Sequence, residues 1–301
     1  MKSIFRIYIL CIFPFWANSQ NNLSFKVMDR VTEKPVPFAS IKILGTEKYM
    51  STDKDGYAEI SNINIDSINI SSVGYSDTTI SIISFKNKSI IKLSEKYQLL
   101  EDIIVGNFKE YDLGLKNLKT AFSYSANLPN QIFFAAKIDI PENLIKVRLE
   151  GVNIAIRKTK YKNINPVRLH LLGVDSNGFP SEQEYLKRDL VIPNGETYKN
   201  YLEFDLRNQN IILNRNLDST IYVGIEFISV ASNEIYDGPE IIITTESTEQ
   251  KTVFKNLVRG FPYSGKWLFM TNEGLMFTKS IKKVHPHNML ATIKVSAIQE
   301  K

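Results

Sequence analysis

The chain has 301 residues, with 37 lysines and arginines against 32 aspartates and glutamates, a formal net charge of +5, and one cysteine. So small a charge excess, spread without runs, offers no basic stripe for nucleic acid. A single cysteine rules out a disulfide framework.

The N-terminus reads as a secretory leader. Lys2 and Arg6 give a positive head, and Ile7 to Trp16 form an apolar stretch. Ala17-Asn18-Ser19 then places small residues at the minus-three and minus-one positions of a cleavage site before Gln20. A membrane anchor needs about 20 apolar residues, roughly twice this run. Cys11 makes a poor lipidation site, because Leu10 stands where a small residue is required. Removal of residues 1–19 takes away Cys11, Lys2 and Arg6, leaving an expected charge of +3 and no thiol. No later apolar run is long enough to cross a membrane, so no transmembrane segment is expected after cleavage. The expectation is an exported protein of Gram-negative type: periplasmic, associated with the outer membrane, or secreted.

The remaining stretch of roughly 280 residues suits two domains. Short alternating runs separated by Gly, Asn, Asp and Pro predict an all-β chain built of sandwiches or barrels. Leu23, Phe25 and Val27 alternate with Ser24, Lys26 and Met28 on a first strand, and a turn follows over Asp29 to Pro35. Residues Pro37 to Ile43 form a second strand, with Ile41 and Ile43 facing one way. Asp55-Gly56 supplies the positive-φ pair of a tight hairpin. Ile63/Ile65 and Ile68/Ile70 alternate in opposite phase, placing a turn or bulge at Asp66-Ser67. Strands near Ile80–Phe85 and Ser89–Leu93 bring the domain, residues 20–96, to about seven strands.

An ordered set of motifs runs through this domain. It comprises Val27-Met28-Asp29, Thr32 to Ile41 with Pro37-Phe38-Ala39-Ser40 inside it, Gly45-Thr46, Thr52-Asp53-Lys54-Asp55-Gly56-Tyr57, and Val73-Gly74-Tyr75. Together they resemble the carboxypeptidase-like regulatory domain. The resemblance implies a small transthyretin-like sandwich, a non-catalytic accessory of exported and outer-membrane proteins that include TonB-dependent receptors. It implies no peptidase activity. Asp53-x-Asp55-Gly56 also opens some calcium loops, but Tyr57 to Asn64 add only Glu59 and Asn62 as ligands. Turn chemistry is the better reading.

Residues 97–108 are expected to be a linker strand. Leu99 to Gly106 is similar to the segment that follows this domain in TonB-dependent receptors. About 195 residues remain, too few for that family's plug and barrel. In residues 109–301 the alternation resumes at Val152/Ile154/Ile156, Val167/Leu169/Leu171, Leu202/Phe204/Leu206 and Val223/Ile225/Phe227. Later strands are expected at Glu240–Thr245, Lys266–Met270 and Leu290–Ala297. Roughly eight to ten strands predict one large β-sandwich of jelly-roll type. Ser181-x-x-Glu184 has the form of a capping box, which predicts a short helix near Glu182–Leu190. Stretches such as Pro166 to Leu171 and Leu202 to Leu206 resemble the C-terminal part of exported proteins bearing the regulatory domain, with no activity attached.

Chemistry is sparse. His170, His285 and His287 are followed three residues on by Gly173, Asn288 and Leu290, so the His-x-x-Glu pair of zinc carboxypeptidases is missing. His285-x-His287 is half a zinc site with Pro286 inside it, and no metal or other cofactor is expected. No Gly-x-Ser-x-Gly elbow and no phosphate-cradling loop occur. Glu203 and Asp205 alternate with Leu202, Phe204 and Leu206, which reads as the solvated side of a strand rather than a glycosidase pair. No catalytic residue is proposed. Aromatic side chains remain: Tyr236, Tyr263 and Trp267 are candidate ligand contacts, with a core role favoured for Trp267 because it alternates with Phe269. The sequence favours a non-enzymatic binding or accessory protein of the envelope, partnered by a glycan or another envelope protein. The competing expectation is a carbohydrate-active or peptide-cleaving hydrolase with a dispersed site.

Overall fold

The computed structural model describes residues 22–46, 48–61, 66–85, 89–96, 106–115, 121–124, 132–157, 166–193, 200–228, 241–244, 251–256, 266–269 and 288–299. The leader, most of the 97–108 junction, Tyr236, Tyr263, His285 and His287 lie outside them. The fold is all-β, in sandwich architecture. No helix among the described residues is long and apolar enough to cross a membrane.

Among the described residues, seven strands form the N-terminal unit: β1 (Leu23–Asp29), β2 (Ser40–Ile43), β3 (Tyr49–Ser51), β4 (Tyr57–Ile60), β5 (Ser67–Ser71), β6 (Thr78–Ser81) and β7 (Ile90–Leu93). They make a three-stranded sheet, β4-β1-β7, and a four-stranded sheet, β3-β2-β5-β6. Alternation works as expected on β1, where Phe25 and Val27 are buried and Ser24 is exposed. These two join Ile41, Ile43, Ile68, Ile70 and Leu93 in one core between the sheets. The Asp53 carboxylate accepts from the Asp55 and Tyr57 amides at 2.8 Å each, and Gly56 takes φ +77°. The hairpin is thus built by turn chemistry. One expectation fails: the strand placed at Ile80–Phe85 ends at Ser81, and Ile82–Phe85 form a single helical turn.

The C-terminal unit holds more strands than expected. They are β8 (Lys109–Gly114), β9 (Ala121–Tyr124), β10 (Ile132–Asp139), β11 (Leu144–Ala155), β12 (Val167–Val174), β13 (Pro180–Glu184), β14 (Val191–Ile192) and β15 (Tyr201–Asp205). There follow β16 (Ile212–Asn214), β17 (Thr220–Phe227), β18 (Ile241–Thr244), β19 (Thr252–Asn256), β20 (Trp267–Phe269), β21 (Asn288–Met289) and β22 (Ala291–Gln299). One sheet has the order β13-β12-β17-β10-β19-β20 with β14 beside β12, another β15-β11-β22-β8 with β16 beside β11. A third, β21-β18-β9, is short. The expected strand number fell short partly because two-residue strands leave no alternation to read, and partly because longer strands such as β10, with Phe133, Phe134, Ala135 and Ala136 in a row, do not alternate. Leu149, Val152, Ile154, Leu169, Leu171, Val223, Ile225, Ile293 and Val295 fill the space between the two large sheets.

No helix occupies 182–190. Ser181 Oγ accepts from the Gln183 amide at 3.2 Å, and Glu184 accepts from the Leu171 and Leu186 amides instead of reaching back toward residue 181. Both halves of the capping box are spent elsewhere, so the helix has no start.

Ile154 and Ile70, each fully buried in its own core, test whether the cores are separate. Ile154→Ala and Ile70→Ala are each expected to cost about 2–5 kcal/mol. Urea unfolding of the single and double variants should show additive losses, since the side chains share no neighbours in either core.

Candidate functional site

The two cores meet at a buried ionic cluster, and local chemistry on each side explains why. In the N-terminal unit, Thr52 is completely buried. Its hydroxyl accepts from the Ala39 amide at 2.8 Å and donates to the Val36 carbonyl at 3.1 Å. That pins the Pro37-Phe38-Ala39-Ser40 stretch, with Phe38 at φ +55°, a conformation uncommon for a bulky residue. The outcome is a loop whose Phe38 carbonyl and Ser40 hydroxyl face the C-terminal unit.

On the other side, β12 and β17 lie next to each other with Arg168 opposite Glu226 and His170 opposite Gly224. Their Val and Leu neighbours fill the core, so these polar side chains emerge on the outer face of the sheet. Arg168 is 3% exposed. Its Nη1 donates to Glu226 Oε2 at 2.8 Å and to Ser40 Oγ at 3.0 Å, and its Nη2 donates to the Phe38 carbonyl. The Nε faces Asp189 Oδ1 at 3.2 Å, an ion pair rather than an aligned hydrogen bond. Ser72 Oγ, from the N-terminal unit, donates to Asp189 Oδ2 at 3.4 Å. Asp189 is held in place by the buried Gln209, whose Oε1 accepts from the Lys187 and Arg188 amides at 2.9 and 3.1 Å. Val73 packs on the larger core. At Gly74 (φ +86°) a Cβ would stand 2.5 Å from the Lys187 carbonyl oxygen, so only glycine permits this approach.

His170 extends the cluster. Its Nδ1 lies 2.8 Å from Glu184 Oε2 and its Nε2 3.3 Å from Glu226 Oε2. Burial disfavours the imidazolium, but the hydrogen bonds to the two glutamates outweigh it and push the His170 pKa up to about 9. Burial likewise opposes the Glu226 carboxylate, yet Arg168 and His170 hold its pKa at about 2. Asp189 goes the other way: burial lifts it above its ordinary range despite the Arg168 charge. Two cations face three carboxylates, so the cluster holds one more acid than base.

Beside the cluster the two units enclose a cleft of about 590 Å³, lined among others by Tyr75, Lys96, Lys187, Arg188, Asp189 and Gln209. The Tyr75 hydroxyl, partly buried and hydrogen-bonded to Asp29, has its pKa raised to about 12, burial being the larger cause. Of the three aromatic candidates, Trp267 alone lies among the described residues. It is half-buried on the outer face of the β12-containing sheet rather than in the main core, its ring 4.9 Å from Phe133, which in turn lies 4.7 Å from His170. Phe269, 44% exposed, continues the row against Phe179 at 5.0 Å. Glu203 and Asp205 are exposed, as their alternation predicted, and Asp205 is paired with Arg207 at 2.6 Å. The sequence reading missed Arg168, Glu184, Asp189 and Glu226. One signal was available: Arg168 and Glu226 are ionic residues on strands that are mostly apolar on both faces.

The geometry defines a small sandwich clamped onto a larger one through buried charge. Residues 24–105, about a quarter of the chain, match the family model described as the CarboxypepD_reg-like domain, and the N-terminal unit is a domain of that kind. No curated protein matches the chain. Among solved structures it is similar to the cysteine protease and lectin-like domains of a surface layer associated protein of Clostridium difficile, at 9% identity and a TM-score of 0.40, covering 93% of this chain and 59% of that one. It is also similar to infectious bursal disease virus, Gx strain, at 10% identity and a TM-score of 0.28, covering 93% and 65%. The chain thus spans about three fifths of their length. Likenesses this distant assign no function.

Two outcomes are expected of the cluster. Arg168→Met leaves Asp189 buried without a cation and Glu226 with His170 alone, and should destabilise the protein by about 3–5 kcal/mol, read by urea unfolding. Because His170 is raised from 6.5 to about 9, its stabilisation is complete below about pH 6.5 and is lost as pH rises through about 9. Glu226, lowered from 4.5 to about 2, contributes above about pH 4.5 and loses its contribution as pH falls through about 2. Melting temperatures from pH 6 to 10 should fall for the parent and flatten in His170→Gln.

Proposed function

We propose that this protein is an exported, non-catalytic accessory protein of the cell envelope that binds a glycan or another envelope protein. Its small regulatory-type sandwich acts as a fixed spacer rather than a swinging module. The observation that carries this reading is the closure of the ionic cluster. Glu184, Glu226 and His170 bond to one another, to Arg168 or to backbone amides. A general acid or base needs an open side toward its substrate, and Arg168 and Glu226, 3% and 8% exposed, have none. The CarboxypepD_reg-like domain supports the accessory role. The positive head, short apolar run and Ala17-Asn18-Ser19 site support export. Tyr236, Tyr263 and Trp267 are proposed as ligand contacts on the larger unit.

Protein lacking residues 1–19, immobilised and offered envelope extract and a glycan panel, is expected to retain one partner or one glycan class and to turn over none of them. Cleavage of a glycan or peptide that is lost in Glu184→Gln would establish the competing hydrolase.

A further inference from the structure

The cleft at the junction has a chemistry that selects a ligand class. Its walls are fixed: Gln209 clamps the Lys187–Arg188 backbone, Gly74 abuts the Lys187 carbonyl, and Ser72 meets Asp189. Val36, Pro37 and Val73 are the aliphatic side chains among the lining residues, and polar and charged residues make up most of the rest. Asn208 and Asn210 supply side-chain amides, while the Tyr75 and Ser72 hydroxyls are already held by Asp29 and Asp189. Charge is lopsided at the mouth. Lys96, Lys187 and Arg188 line it, against Glu95 and an Asp189 already engaged by the buried Arg168. The Lys187 ammonium donates to the Asn210 carbonyl at 3.0 Å. The Lys96 ammonium and the Arg188 guanidinium, both exposed, have no carboxylate partner among the described residues. Such cations, set above a rigid polar floor, match a ligand that carries both hydroxyls and carboxylates.

We infer that this cleft is a binding site for acidic saccharides, with Arg188 and Lys96 pairing the sugar carboxylates and the amide-rich wall taking the hydroxyls. The inference rests on the binding reading above and specifies its ligand, at the junction cleft rather than at Trp267, which does not line it. It places the site between the two sandwiches, so each unit supplies part of it: Tyr75 and Lys96 from one, Arg188 and Asn208 from the other.

Calorimetric titration of the protein lacking residues 1–19 tests it, with a galacturonate tetrasaccharide, the neutral maltotetraose and tetraglutamate as probes. The galacturonate is expected to bind roughly tenfold or more tighter than maltotetraose, and to weaken as salt rises. The double variant Arg188→Gln, Lys96→Gln should lose roughly tenfold in affinity while keeping the parent's melting temperature. Equal binding of the neutral sugar, no binding of either sugar, tighter binding of tetraglutamate, or undiminished binding by the double variant would each overturn the site. Shortening of the galacturonate during titration would sink the non-catalytic reading while leaving the ligand class standing. A partner protein retained from envelope extract with no saccharide bound would do the reverse.

Discussion

The arrangement depends on one guanidinium. Arg168 is a β12 residue, yet most of what it holds belongs to other segments: Glu226 on β17, Asp189 in the loop after β13, and Phe38 and Ser40 in the N-terminal sandwich. Arginine suits this because its planar fork presents five donors at fixed angles and stays charged when buried. A buried ion pair is weak evidence for net stability, since desolvation consumes much of the Coulomb gain. What it supplies here is register. Across the junction Arg168 donates to the Phe38 carbonyl and the Ser40 hydroxyl, so an orientation of the small sandwich that moved them away would leave buried donors unpaired.

That constraint reaches outward through ordinary backbone chemistry. The Thr52 hydroxyl shapes the Phe38 loop, Gln209 shapes the Asp189 loop, and both loops then wall the cleft. The His170 imidazole, sandwiched between Glu184 and Glu226, ties the ionic cluster to the Phe133 and Trp267 rings. The charged seam and the aromatic row therefore lie on one continuous outer sheet face.

Much of the fold was legible in the sequence, and the reason is periodicity. Alternation located β1, β12, β15, β17 and β22 because each has at least five residues and one or both faces buried. It did not find β14, β16 or β21, which are two or three residues long, and it also passed over longer strands, β10 among them, whose Ile132–Asp139 sequence does not alternate cleanly. Turn chemistry at Asp53–Tyr57 and Asp175–Phe179 was equally readable, since in each an aspartate oxygen accepts two nearby amides and a glycine takes positive φ. The junction was invisible for the opposite reason. Ser40 and Arg168 lie 128 residues apart and Arg168 and Glu226 58 apart, and no local pattern announces that they meet. The capping box at Ser181 misled because a local motif competes with distant partners, and Glu184 found better ones in His170 and the Leu171 amide.

Strand β22 has a bearing on how the molecule is made. It lies between β11 and β8 at the heart of its sheet, pairing with Leu144 to Ile154 on one side and Lys109 to Gly114 on the other. Both neighbours emerge from the ribosome long before it. Until Ala291–Gln299 arrives they share no partner, and the sheet stays open. Pairings of such long sequence separation close slowly. Closure of that sheet thus waits for β22, and a chain cut just before Ala291 would lack the strand that joins β11 to β8.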